Sequence, residues 1–215
     1  LNIFILDKNL IKSAQYHTNK HVVKMLTESC QIMCTVYRET TKEKNIPEII
    51  YKSTHLKHPC VLWCKESYDN FLYCLKLAKA LYSEYQYRYN QPKKHQRNLK
   101  IIKYFMSCKL NLSLEKSITS FALAMPYQYK LEVIKKKGRW GTVHWEIKGL
   151  NKEDYQSINS KTFDSEKEAQ IYATIQSYRN YYMNEKKHLF KWTKRETPYW
   201  IKERRLKNHG ITFSI

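Results

Sequence analysis

The sequence predicts a mainly α-helical body that carries a small inserted β-β-β-α module, and three observations support this. Apolar residues recur at helical spacing through the first half of the chain, the pattern changes to strand-like alternation around a glycine turn between residues 129 and 147, and helical spacing then returns. Residues 1–129 and 175–215 are therefore assigned to the body and 130–174 to the module. A chain of 215 residues, 42% of them hydrophobic, can bury a substantial core. No apolar run approaches the roughly 18 to 20 residues that a membrane span needs, so no membrane partner is expected.

In chain order, residues 1–6 (Leu-Asn-Ile-Phe-Ile-Leu) read as a strand, and Asp7 or Asn9 caps a short helix ending near Tyr16. A second helix covers 17–38, with Thr18 as the N-cap candidate. His17, His21, Lys24, Glu28 and Gln31 fall on one stripe of it, opposite an apolar stripe of Val22, Leu26, Cys30, Met33 and Tyr37. Such a polar stripe ordinarily faces water. It also places two imidazoles, an ammonium and a carboxylate in one row.

After a polar break at 42–47 comes Thr54-His55-Leu56-Lys57-His58-Pro59-Cys60. Pro59 disfavours helical backbone at His58 and suits the first turn of a helix predicted over 59–89. Two histidines thus stand at a helix entrance, where unpaired N–H groups favour anions. Glu84 and Arg88 are one turn apart, a further helix covers 100–109, and 120–126 is an apolar core segment. Alternation over 129–147 turns at Lys137-Gly138, and a third strand is expected near 157–163. Ser165-Glu166-Lys167-Glu168 matches a capping box opening a helix through Ile175, and helical character resumes from Tyr178 to about Lys194.

Thirty-nine lysines and arginines against nineteen acidic residues give a net charge of +20, which points to a polyanion: DNA first, RNA as the alternative. Lys-, Asn- and Tyr-rich usage also follows from AT-rich coding. More specific is the run from Arg88 to Leu114, which has no acidic residue but contains Arg88, Lys93, Lys94, His95 and Arg97. A solvated helical face normally mixes signs, so a phosphate backbone explains the run better. Arg179, Lys191 and Arg195 stand among aromatics, a combination that pairs phosphates and stacks bases, although the same aromatics also pack helices. The six cysteines include no C-x-x-C pair and read as reduced core thiols.

His21, Lys24, His55 and His58 are the candidate catalytic residues, with Arg88 as a further phosphate ligand. Imidazoles titrate near neutrality and could serve as general base and acid at a phosphodiester. Base removal or base modification is the alternative, with Glu28 as the carboxylate. A third reading is a DNA-binding accessory protein whose histidines are structural. His17, His21, His55 and His58 would be the ligands if zinc were bound, but the neighbouring lysines oppose a cation, so no cofactor is expected. With four glycines and no nucleophile elbow or P-loop, phosphate binding by a glycine loop is not expected.

Several motifs together resemble a family of small proteins, of no assigned activity, encoded by tailed DNA phages and related large viruses. They are Lys20-His21-Val22-Val23-Lys24-Met25, Thr54-His55-x-x-His58-Pro59-Cys60-x-x-Trp63, Glu84-Tyr85-x-x-Arg88-Tyr89, Ala124-Met125-Pro126, Tyr178-Arg179-x-Tyr181-Tyr182 and Lys191-Trp192-x-x-Arg195-Glu196-x-Pro198-x-Trp200. The resemblance implies a viral origin, a single helical body and a place in the cytoplasm of the infected host cell. In that family the chain passes almost directly from the Ala-Met-Pro segment to the Tyr-Arg-x-Tyr-Tyr helix, which marks the intervening residues here as an insertion. Gly138-Arg139-Trp140, Trp145-Glu146-Ile147 and Thr162-Phe163-Asp164-Ser165-x-x-Glu168-Ala169 resemble AP2-type DNA-binding domains, whose sheet lies on the major groove. That likeness implies DNA contacts by Lys135, Lys136, Lys137, Arg139, Trp140 and Trp145, with Phe163, Ala169 and Tyr172 in the core.

Overall fold

The computed structural model describes residues 1–91, 93–107, 118–138, 141–149 and 161–208, with 204–208 as backbone alone. The body is built from α1 (Leu10–Tyr16), α2 (Asn19–Thr40), α3 (Pro59–Glu66), α4 (Tyr68–Tyr89) and α5 (Gln96–Ser107), closed by α6 (Glu166–Glu185) and α7 (Tyr199–Asn208). The module is an antiparallel sheet of β1 (Leu131–Lys137), β2 (Val143–Gly149) and β3 (Thr162–Phe163), in that spatial order. The protein is therefore mainly α with a small β module.

Residues 1–6 do not form the expected strand. They are an extended segment with Ile3, Phe4, Ile5 and Leu6 buried in the core, and side chains take the place of a sheet partner. The Ile3 N–H donates to Asn2 Oδ1, the Leu6 N–H to Ser13 Oγ, and the Leu6 carbonyl accepts from Arg179 Nε. Asn9 caps α1 and Thr18 caps α2, so the His17 side chain lies before α2 rather than on its stripe. The α2–α4 pairing is the most extensive between helices, and Leu26, Cys30, Met33 and Tyr37 join Phe71, Cys74, Leu77, Ala78 and Leu81 in one core.

The helix expected over 59–89 is two helices. Ser67 adopts extended backbone, and its hydroxyl accepts the Asn70 N–H to start α4. Helix α5 begins at Gln96, ahead of the expected 100, while Cys108 and Lys109 lie outside the described residues. Segment 120–126 is partly buried coil rather than full core, with Met125 buried. The five described cysteines are all free and buried.

In the module, the turn residues Arg139 and Trp140 and most of the expected third strand lie outside the described residues. Val133 pairs with Ile147 and Trp145 with Phe163. Those side chains share the face packed on Ala169, Tyr172 and Ala173 of α6, while Leu131 completes this second, smaller core. Ser165 stands at the N-cap of α6 without a side-chain capping bond, so the capping box does not form. A single continuous α6 replaces the two expected helical stretches. It carries Ala169 and Ala173 under the sheet and Ile175, Tyr178 and Tyr182 in the body core, so the sequence boundary at 174 falls inside one helix. The chain then leaves helical geometry, apart from one short turn at Lys187–Leu189, well before Lys194.

Candidate functional site

The polar row read from the sequence separates into a buried part and a surface part. His17 is fully buried; its Nδ1–H donates to the Ser13 carbonyl at 2.7 Å, and its Nε2 has no partner. Burial lowers its pKa to about 4. His21 is also buried, with its ring stacked on Phe4 at 4.9 Å. Tyr182 Oη accepts the Thr18 N–H at 3.0 Å and lies 2.6 Å from His21 Nδ1. The arrangement that satisfies all three groups has Tyr182 donating to Nδ1, which makes His21 a neutral Nε2–H tautomer. Its pKa falls to about 3, first from burial and then from the nearby His17, Lys186, Lys24 and His188. Neither ring is protonated near pH 7, so neither acts there as a proton donor of the imidazolium kind.

Arg88 is likewise internal. Its Nε bonds Glu84 Oε1 at 2.7 Å, and its two terminal nitrogens reach the His17 carbonyl, Asn19 Oδ1 and the Gln15 carbonyl. Arg195 clasps the same Glu84 through two bonds of 3.0 and 2.9 Å. Burial pushes the Glu84 carboxyl up, but the two guanidinium groups outweigh it and hold the pKa below its ordinary value. Arg179 bonds the Leu6 carbonyl, Tyr199 Oη and Asp7. These three arginines tie α1, α4, α6 and the C-terminal segment together, and the five-residue phosphate site expected from the sequence does not assemble.

Lys24, Glu28, His55 and His58 remain on one side of the body. Glu28 is buried, yet its Oε2 accepts the Asn2 N–H at 2.8 Å and its Oε1 lies 3.5 Å from Lys24 Nζ, which reaches into solvent. His58 caps α3 by accepting the Cys60 N–H on Nδ1 at 3.2 Å. That bond leaves Nε2 carrying the proton. The pKa of His58 is lowered, mainly by burial, and it lies within electrostatic reach of His55 and Glu28. His55 is exposed in left-handed backbone at φ 52°, with Nδ1 2.6 Å from Thr54 Oγ1. Lys24 of α2 therefore stands beside the buried Glu28 carboxylate and His58 lies within its electrostatic reach, while His55 neighbours His58. Among the described residues, no three His, Cys, Asp or Glu side chains form a metal-ligand set, so the four-histidine zinc alternative is not assembled.

The other nucleic-acid candidates are spread over several surfaces. Lys93 and Lys94 are exposed, whereas His95 Nδ1 accepts from the Asn98 amide Nδ2 at 3.0 Å and its buried Nε2 has no partner. Arg97 bonds the carbonyls of Ile49 and Glu48 and lies over the Tyr51 ring. Lys191 is exposed. Lys135, Lys136 and Lys137 are exposed on β1, while Trp145 faces α6 within the small core. The open sheet face carries Lys136 beside His144 and Lys148 beside Glu132.

Sequence reasoning missed Asn2, Phe4 and Tyr182 as partners of the site. Tyr182 stood within a quoted motif, but no local rule links it to a histidine 161 positions away. Comparison with protein-family models, curated proteins and solved structures gave no match. No described helix is long and apolar enough to cross a membrane.

Proposed function

We propose that this protein is a viral nucleic-acid-binding enzyme acting on DNA in the host cytoplasm, with Glu28 as its reacting carboxylate. The observation that carries the reading is Glu28 itself: a buried glutamate that accepts the Asn2 N–H and lies 3.8 Å from the Leu1 nitrogen, with the exposed Lys24 beside it and His58 within electrostatic reach. Lys24 would seat a phosphate, and the His58 Nε2–H would donate to the substrate.

The arrangement favours cleavage at a base–sugar bond over cleavage of a phosphodiester. Attack at phosphorus builds negative charge, which a buried carboxylate opposes and which the internally bonded Arg88 cannot offset. Loss of a base builds positive charge on the sugar, which a carboxylate stabilises while water adds at the same carbon. The fixed His58 tautomer points the same way, because a ring whose lone pair is committed to Cys60 is a donor rather than a proton shuttle.

The test is incubation of purified protein with labelled single- and double-stranded DNA and RNA, with and without chelator, followed by mass analysis of the products. Intact strands lacking a base are the expected result, and Glu28→Gln should lower turnover by about 10²- to 10⁴-fold while DNA affinity changes little. Strand breaks without base loss would return the reading to a phosphodiesterase. No change on any substrate would leave a DNA-binding accessory protein with structural histidines.

A further inference from the structure

A cleft of about 410 Å³ opens beside the first turns of α2, where Val23, Tyr85 and Tyr89 form an apolar floor and Lys20 and Lys94 stand on its rim. No acidic residue lines it, whereas other clefts on the described surface include Asp7 and Glu166, Glu48, Glu84 or Glu132. The two tyrosine rings pack at 5.2 Å, and Tyr85 is also fixed by an edge contact with His95. Tyr89 Oη donates to the Asn19 carbonyl and Tyr85 Oη to Gln91 Oε1, so both phenols are tethered and the cleft keeps its shape. The Gln91 amide nitrogen is left to meet a ligand at the edge.

From this we infer that the cleft seats one nucleotide of a single DNA strand, with its base over Val23 and Tyr89 and its flanking phosphates on Lys20 and Lys94. An apolar aromatic floor suits any base, because every base has a flat π surface, and a rim of two ammonium groups suits the backbone on either side. Duplex DNA, whose bases are stacked inside, cannot fill it without unpairing. Lys20 lies one helical turn before Lys24, so a strand held in the cleft continues along α2 toward Glu28. The inference rests on the nucleic-acid reading above and adds the site that takes the base.

The test compares the affinity of the whole protein for a short oligodeoxythymidylate with its affinity for an abasic strand of the same length and charge. Stacking of one base should make the thymidylate bind about tenfold tighter. Val23→Phe, which fills the cleft without changing charge, should abolish that preference and leave the abasic strand unaffected. Tyr89→Leu should do the same if its circular dichroism matches the parent. Lys20→Ala with Lys94→Ala should weaken both strands and reduce the slope of log affinity against log salt by about 1.4. Equal affinity for the two strands, or a preference that survives Val23→Phe, overturns the base site while the polyanion reading stands. Failure to bind either strand at low salt overturns both.

Discussion

In the helical body Arg88 and Arg179 are buried and end on carbonyl oxygens and carboxylates, whereas Lys135, Lys136 and Lys137 of the sheet module project into solvent. The two regions also differ in how they are held. The body closes over a large core and braces it with buried ion pairs; the module packs one sheet face on α6 through four buried residues and a few half-buried neighbours, leaving the other face open. Arginines that sequence reasoning offers as phosphate ligands, such as Arg88 and Arg179, are therefore struts of the body. Only the charge that packing leaves outside could meet a polyanion.

The largest expected effect comes from breaking a strut. Arg88→Met should cost about 3 to 5 kcal/mol, because Glu84 loses a buried partner and the Gln15 and His17 carbonyls lose their donor. Urea unfolding at pH 7 measures it, and a loss below about 1 kcal/mol would mean that Arg195 alone satisfies Glu84.

Acid should separate the regions next. His17 and His21 have folded pKa values of about 4 and 3, below the ordinary 6.5, so the unfolded chain binds protons that the folded one refuses. Their contribution is complete above pH 6.5 and declines as pH falls from there toward 4, on the order of 3 kcal/mol for His17. Unfolding monitored by near-ultraviolet dichroism at neutral pH and near pH 4.5 should show this loss in the body. A flat profile would mean that the rings are hydrated.

Removing 131–173 with a short linker should have a smaller effect. The body keeps Ile175, Tyr178 and Tyr182 in its core and loses the Leu131 N–H bond to Ser177, so it should still unfold cooperatively. An unfolded product would show that the two regions cannot be separated. Smallest in stability is Lys136→Ala with Lys148→Ala on the open sheet face, expected within about 0.5 kcal/mol of the parent. The same pair should lower the salt slope of duplex binding by about 1.8, and an unchanged slope would remove this face from the DNA contact.

Much of the fold could be read locally because local chemistry fixes it. Asn9, Thr18 and Pro59 mark helix starts through their own side chains, and alternation around Lys137-Gly138 marks the hairpin. Misreadings arose where a long-range partner decides the outcome. Residues 1–6 have strand composition, but among the described residues no strand pairs with them, and the N–H groups of Asn2, Ile3 and Leu6 go to the side chains of Glu28, Asn2 and Ser13. Ser67 breaks a helix that apolar spacing alone would continue.

The candidate site divides in the same way. The sequence by itself determined that His21, Lys24 and Glu28 share a helix and that His55 and His58 precede another, since a 3.6-residue period and a proline specify both. Only the tertiary structure decided which of them meet solvent. Burial against Phe4 and Tyr182 turned His21 into a neutral core group, Glu84 drew Arg88 and Arg195 inward, and the turn at His55 left Glu28 with Lys24 and His58. The physical reason is that desolvation and pairing depend on atoms far away in sequence, which no spacing along the chain encodes.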